Sequence, residues 1–470
     1  MHALSRSLLA LLFSSSVVTA CATPETSAPV LSENGAPSQN IRGIWSSSEK
    51  GWILEIEETG ISRWQDTKAA CYRSPASDAT TPLMGQLEYQ LYRISRDKQK
   101  AYFQYLPGDA TASFTKLDAL PDRCKTDQQY SPVKLFDIFV VTMSEHYAFF
   151  DERNVDWSSL VQQERVNLRE AMSEAELWTV FSRMLAPLGD SHTKMVGLVD
   201  GDPARIQFGL GTTLLEVRNG MTEGQWIPEL VDQLMTDVLD PGAQLVDDRV
   251  IIGEIDGRIG YIQIFTMGGF RNDHPPGTIE WSVAELRRLD DILDDALSQF
   301  QNHDAIILDL SNNRGGYDAV TRAIASRFTD EPFVGYRVSV PGYPEADKEY
   351  VISPHDGLRY DGPVFLMTSD VTVSGGEITT LMLRELDQVT LVGTPTRGAF
   401  STPLAKPLPN GWYLELSNEV FSSADGTVFE GRGIPPDIEI DIYPTDAPVA
   451  GHKAAIEFIV SLIDAGDITR

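Results

Sequence analysis

Ser374 stands where a chain can make a nucleophile. It follows an apolar run, Val364-Phe365-Leu366-Met367, that reads as a buried strand. It precedes Gly375-Gly376-Glu377 and a helical pattern running to Leu386. A serine at such a junction faces the free N–H groups of a helix N-terminus, which favour a developing negative charge. Serine is also a favoured N-cap, so the same residue could simply close the helix. Chemistry at this place needs a base, donors for an oxyanion and a path for substrate, all supplied from elsewhere in the chain.

Two more turn-rich segments follow buried strands. Asp309-Leu310-Ser311-Asn312-Asn313-Arg314-Gly315-Gly316 ends the apolar run Ala305–Leu310. Its paired glycines let the backbone turn sharply and leave N–H groups unobstructed, although an ordinary Gly-Gly turn looks the same. Val392-Gly393-Thr394-Pro395-Thr396-Arg397-Gly398 follows a strand-like Val389–Val392. Around these segments strands and helices alternate: Tyr261–Ile264, Val283–Phe300, Ala305–Leu310, Ala319–Arg327, Val364–Met367 and Glu377–Leu386. That alternation predicts an α/β layered core over 257–470.

The chain upstream reads differently. Short alternating segments such as Trp52–Ile56, Leu87–Tyr92 and Ala101–Tyr105 predict a small all-β domain over 41–128. Helical periodicity and a Ser173-Glu-Ala-Glu capping box predict a helical domain over 129–200. Residues 201–256 form a connecting region of poor legibility, with a helix near Ile227–Leu239 and no clear PDZ domain. Before the β domain, 21–40 is rich in Ser, Pro, Thr and Ala and reads as a tether. Residues 1–20 carry Arg6, the apolar run Leu8–Phe13 and small residues, the pattern of a signal peptide too short to span a bilayer. Val18-Thr19-Ala20-Cys21 resembles a lipobox, which would make Cys21 a lipidated N-terminus anchored in a membrane; a plain signal peptide with a nearby cysteine is the alternative.

Composition narrows the partners. The 470 residues carry a formal charge of −30, spread along the chain, so no basic patch is available for nucleic acid. Cys71 and Cys124, the remaining cysteines, suggest a disulfide in an exported protein. The 7 histidines are scattered, without HExxH or CxxC, which gives no support to a metal site, and no organic cofactor is implied.

Four segments taken in order, DLSNNRGG, TSDVTVSGGE, VGTPTRG and EGRGIPPDIEI, resemble the successive motifs of the tail-specific (C-terminal processing) serine protease family. The resemblance covers about residues 257–441 and extends weakly back to 132. It implies a crotonase/ClpP-like spiral core, Ser374 as nucleophile, and backbone N–H groups of Gly375 and Gly316 as the oxyanion hole. It also implies that no lysine base is present, because Ala399 occupies the position of that lysine. The branch similar to the tricorn core and the nisin-resistance protease uses histidine, and Leu188-Gly189-Asp190-Ser191-His192-Thr193 matches its segment. On that match His192 is the base, with Ser191 and Glu430 completing a tetrad. Asp190 is a rival orienter, Lys406 a weaker rival base, and Glu377 a structural residue of the helix N-terminus. The expectation is an exported, lipid-anchored serine endopeptidase acting on a peptide or protein. The competing expectation is a catalytically silent binding protein of the same fold for a small hydrophobic ligand or peptide.

Overall fold

A computed structural model describes residues 27–75, 89–125 and 130–466. The signal segment and Cys21 lie outside the described residues. The C-terminal half is built on a seven-stranded sheet in the order 244–246, 250–255, 259–264, 305–309, 364–368, 389–393, 438–439. The first three strands pair antiparallel, and every later pairing is parallel. Alternate side chains leave on opposite faces. Ile306, Leu308, Val364 and Leu366 pack in one apolar layer with helices Ile279–Phe300, Asp318–Ala325 and Gly375–Leu383. Ala305, Ile307, Phe365 and Met367 pack in the other, against Glu223–Gln233 and Pro448–Ala465. Burial on both faces is why these strands read as continuous apolar runs.

This arrangement also gathers the chemistry. Asp309, Thr368 and Gly393 end three neighbouring parallel strands in register, Asp309 opposite Met367 and Thr368 opposite Gly393. The three turn-rich segments therefore emerge together at the carboxyl edge of the sheet, where open α/β sheets bind ligands. The mixed α/β core and the all-β sheet before it are those expected from the sequence.

The N-terminal sheet is eight-stranded and antiparallel, closed covalently by a Cys71–Cys124 disulfide. Sequence composition pointed to a tether over 21–40, but Ala28–Pro29 pairs with the strand Leu91–Ile94, and Val30 and Ile41 are buried. Backbone pairing and the buried Val30 dock part of this run of Ser and Pro. The disulfide closes a separation of 53 residues. Cys71→Ser with Cys124→Ser should lower stability by roughly 2–5 kcal/mol, measured by urea unfolding against the oxidised protein.

Helices Pro132–His146, Trp157–Arg165 and Glu174–Leu185 follow, the last with the expected box between Ser173 and Glu176. They do not form a separately cored unit. Phe136, Phe139, Phe181 and Met184 share one apolar cluster with Trp52 and Phe114 of the β domain and with Leu404, Leu414 and Leu416 of the core. The strand Lys194–Val199 pairs with Tyr413–Ser417. Residues 202–255 are divided between two sheets, 202–207 joining that strand and 244–255 the seven-stranded sheet, so no autonomous peptide-binding sheet lies there among the described residues.

Candidate active site

Ser374 heads the helix Gly375–Leu383 with φ 58° and ψ −122°. An ordinary N-cap is extended. A non-glycine residue held here stores about 1–3 kcal/mol of backbone strain, which persists only where the surroundings fix it. They do so in this protein. Ser374 N–H donates to the Ala399 carbonyl at 3.1 Å and to the Glu377 carboxylate at 3.2 Å. Val373 N–H donates to Asn313 O at 3.1 Å. Gly315, at φ 74°, leaves room from the other side; a Cβ there would stand 2.6 Å from Ser374 Cβ. Ser374 is half-buried, whereas the helix that follows it is wholly buried.

The two glycines expected to donate to an oxyanion are adjacent. A Cβ on Gly375 would lie 3.1 Å from Gly316 N, so the two backbones approach each other without side chains between them. Gly316 is exposed and bridges Met267. In that bridge the Gly315 carbonyl and the Tyr317 N–H bond Met267, which leaves the Gly316 N–H out of the pairing.

His192 follows a left-handed Gly189 that ends the turn Ala186–Leu188. Asp190 fixes the residues after it: its carboxylate accepts from His192 N–H at 2.9 Å and from Thr193 Oγ1 at 2.7 Å. The imidazole Nδ1 lies 2.6 Å from the Ser401 carbonyl. A carbonyl only accepts, so Nδ1 carries the proton and Nε2 is the basic nitrogen. Burial outweighs the nearby Asp190 and lowers the imidazole below its ordinary 6.5, which keeps it neutral near pH 7. Ser374 and His192 are thus held by one short segment, the first through Ala399 and the second through Ser401.

The other expected residues surround that segment. Glu377 is fully buried and accepts from Thr396 Oγ1 at 2.7 Å, Gly398 N–H at 2.6 Å and Ala399 N–H at 2.8 Å, so it shapes the loop against Ser374. Glu430 accepts from Phe400 N–H at 2.9 Å and from Arg153 at 2.7 Å; it grips the segment rather than the imidazole ring. Ser191 is buried and its Oγ has no partner among the described residues. Lys406 turns toward the β domain, where its ammonium donates to the carbonyls of Lys50 and Gly51.

Arg153 went unnoticed in the sequence. Its guanidinium donates to the carbonyls of Leu188 at 3.1 Å, Gly189 at 2.8 Å and Gly398 at 3.0 Å, besides Glu430. It also stands 3.7 Å from Asp190. One cation therefore joins the turn that carries His192 to the segment that holds Ser374. Burial alone would raise Asp190, but Arg153, His192 and Thr193 together hold it below its usual value. Burial and the neighbouring Asp190 push Glu430 up to about 8. A carboxyl raised from 4.5 stabilises the fold at low pH and loses that contribution as pH rises toward 8. Glu430→Gln should therefore gain thermal stability relative to the parent as pH rises from about 4.5 to about 8, and no further above that. A difference independent of pH would show Glu430 ionised throughout.

Residues 258–440 match the model of peptidase family S41. A protein of Staphylococcus aureus named as a probable CtpA-like serine protease is 24% identical over 184 residues, 39% of this chain and 34% of its own length. A carboxy-terminal-processing protease of Bartonella bacilliformis is 21% identical over 279 residues, 55% of this chain and 58% of its own. The chain thus spans about a third and somewhat over half of these relatives' lengths. Among solved structures, one from Parabacteroides merdae assigned as a peptidase has TM-score 0.57 at 22% identity, covering 71% of this chain and 97% of its own. Mature CPAF complexed with lactacystin has TM-score 0.51 at 13% identity, covering 71% and 98%. Those likenesses concern the fold. His192 and Arg153 fall before the matched segment, whereas Ser374, Gly375, Gly316 and Glu430 fall within it. In sequence, residues 258–440 resemble peptidase family S41; in fold, the chain resembles the Parabacteroides merdae structure and mature CPAF.

Proposed function

We propose that the protein is an exported serine endopeptidase in which Ser374 is the nucleophile and His192 the general base. One observation carries this reading: a strained, half-buried serine and a neutral histidine with Nε2 unprotonated are held by the same segment, 399–401, beside two adjacent glycine backbones. Ser374 Oγ attacks the scissile carbonyl while His192 Nε2 takes its proton. The oxyanion so formed receives the N–H groups of Gly316 and Gly375. The imidazolium is stabilised by ionised Asp190 and returns its proton to the leaving amine. Water, deprotonated by the same nitrogen, then hydrolyses the acyl-enzyme and frees Ser374.

The histidine base belongs to the tricorn-like branch of the resemblance, and Ala399 at the lysine position supports it. Export and a lipid anchor at Cys21 are supported by the N-terminal pattern and by the Cys71–Cys124 disulfide, a bond that persists in oxidising compartments. A fluorophosphonate probe tests the centre. The parent should be labelled on Ser374, and Ser374→Ala, still folded by circular dichroism, should not be. Full labelling of that variant would refute the assignment.

A further inference from the structure

A cavity of about 520 Å³ opens beside the proposed centre, and about a third of its lining residues come from the N-terminal β domain. On the core side it is lined by Gly316 and by Thr402, the residue after the Ser401 carbonyl that holds His192. On the other side stand Trp52, Tyr105 and the loop through Asp109. That loop is docked on the core: Tyr317 Oη donates to Pro107 O, and Arg322 to Gly108 O.

The lining has a definite chemistry. Trp52, Tyr105, Trp281 and Tyr317 supply aromatic surface. Asp109 comes from the β domain and Asp318 from the helix that follows Gly316. Arg322 acts on both carboxylates through its charge but turns its N–H groups to Tyr336 Oη at 2.8 Å and to Gly108 O. The two ammonium groups in the wall are occupied, Lys50 by Glu419 at 2.9 Å and Lys348 by the Thr111 carbonyl. Asn418, only 1% exposed, lines the cavity with both amide atoms unpartnered among the described residues. A buried amide without partners costs free energy unless a ligand meets it. Burial, and then the proximity of Asp318, pushes the Asp109 carboxyl up to about 7, which the Leu106 N–H and the Arg322 charge offset only in part.

We infer that this pocket receives a cationic side chain, arginine or lysine, of the peptide substrate, and that the β domain thereby sets cleavage specificity. Aromatic faces attract a cation, and the carboxylates and the Asn418 oxygen accept its N–H groups. Its place beside Gly316 puts that side chain next to the scissile bond. The inference rests on the peptidase reading only for what is cleaved, because binding can be measured without catalysis.

The experiment uses the Ser374→Ala protein and tryptophan fluorescence. Acetyl-Ala-Ala-Arg-Ala-Ala-amide is titrated against the same peptide with citrulline, which keeps the shape and removes the charge. Arginine should bind at least ~10-fold tighter, and Asp109→Asn and Asp318→Asn should each reduce that ratio. Equal affinities, no binding of either peptide, or a ratio unchanged in both variants would overturn the inference. In parallel, the parent is given a library of peptides varied at one position. Cleavage without preference for Arg or Lys overturns the pocket but leaves the peptidase. If no peptide is cleaved, the peptidase reading fails, and the titration alone decides the pocket.

Discussion

Ser374→Ala and His192→Ala should each lower kcat for peptide hydrolysis by roughly 10⁴- to 10⁶-fold, and the double variant should be no worse than either. The non-additivity follows from the shared step: without an acceptor for its proton the hydroxyl is a poor nucleophile, and without the hydroxyl the base has nothing to deprotonate. What survives is the effect of the Gly316 and Gly375 donors on attack by water. The pH profile supplies a second reading. His192 must be neutral to act, and burial lowers its pKa below 6.5. The acid limb of kcat/KM for the parent should therefore lie below pH 6.5. Activity should be retained as pH falls to neutrality and be lost only when the imidazole is protonated. A limb above that value would mean that the Asp190 charge outweighs burial. Additive losses in the double variant would mean that the two residues do not serve one step.

Much of this centre was legible because each part leaves a local signature. Parallel strands buried on both faces show as apolar runs, and the loops at their ends show as Gly-rich, hydroxylic segments. Ser374, Gly316 and Gly375 could be read in that way. His192 could not be found from its neighbours, since a histidine after a helix is ordinary; only the resemblance, sharpened by Ala399, pointed to it. The orienting partner was out of reach. Its Nδ1 acceptor is a backbone carbonyl, Ser401 O, and carbonyls are the same at every residue. Arg153 was missed for a related reason: its acceptors lie 35, 36, 245 and 277 positions away, and no periodicity spans such distances. The tether was overextended because composition counts Ser and Pro, whereas docking comes from the pairing of Ala28–Pro29 and the burial of Val30.

Arg153→Met should destabilise the protein by roughly 3–5 kcal/mol at pH 7 and abolish most activity where the protein remains folded. Methionine keeps the buried volume and removes the charge. Asp190 and Glu430, with side chains 0% and 1% exposed, would then face each other without a cation. Three carbonyls, of Leu188, Gly189 and Gly398, would lose their donor. The sign of the pH effect follows from Asp190. Its folded pKa is held below 3.8, so its contribution is present above that value and is lost as pH falls through the lowered one. The gap between parent and variant in urea unfolding should therefore narrow as pH falls below about 3.8. Adding Glu430→Gln to Arg153→Met should change little at pH 7, because Glu430, raised to about 8, is already largely neutral there. Arg153→Lys should rescue poorly, because an ammonium cannot reach acceptors spread across a planar guanidinium. Kinetics separate positioning from mere stability. Below the unfolding transition kcat should fall while KM changes little, since Arg153 touches neither Gly316 nor the cavity wall but holds the His192 turn against the Ser374 segment.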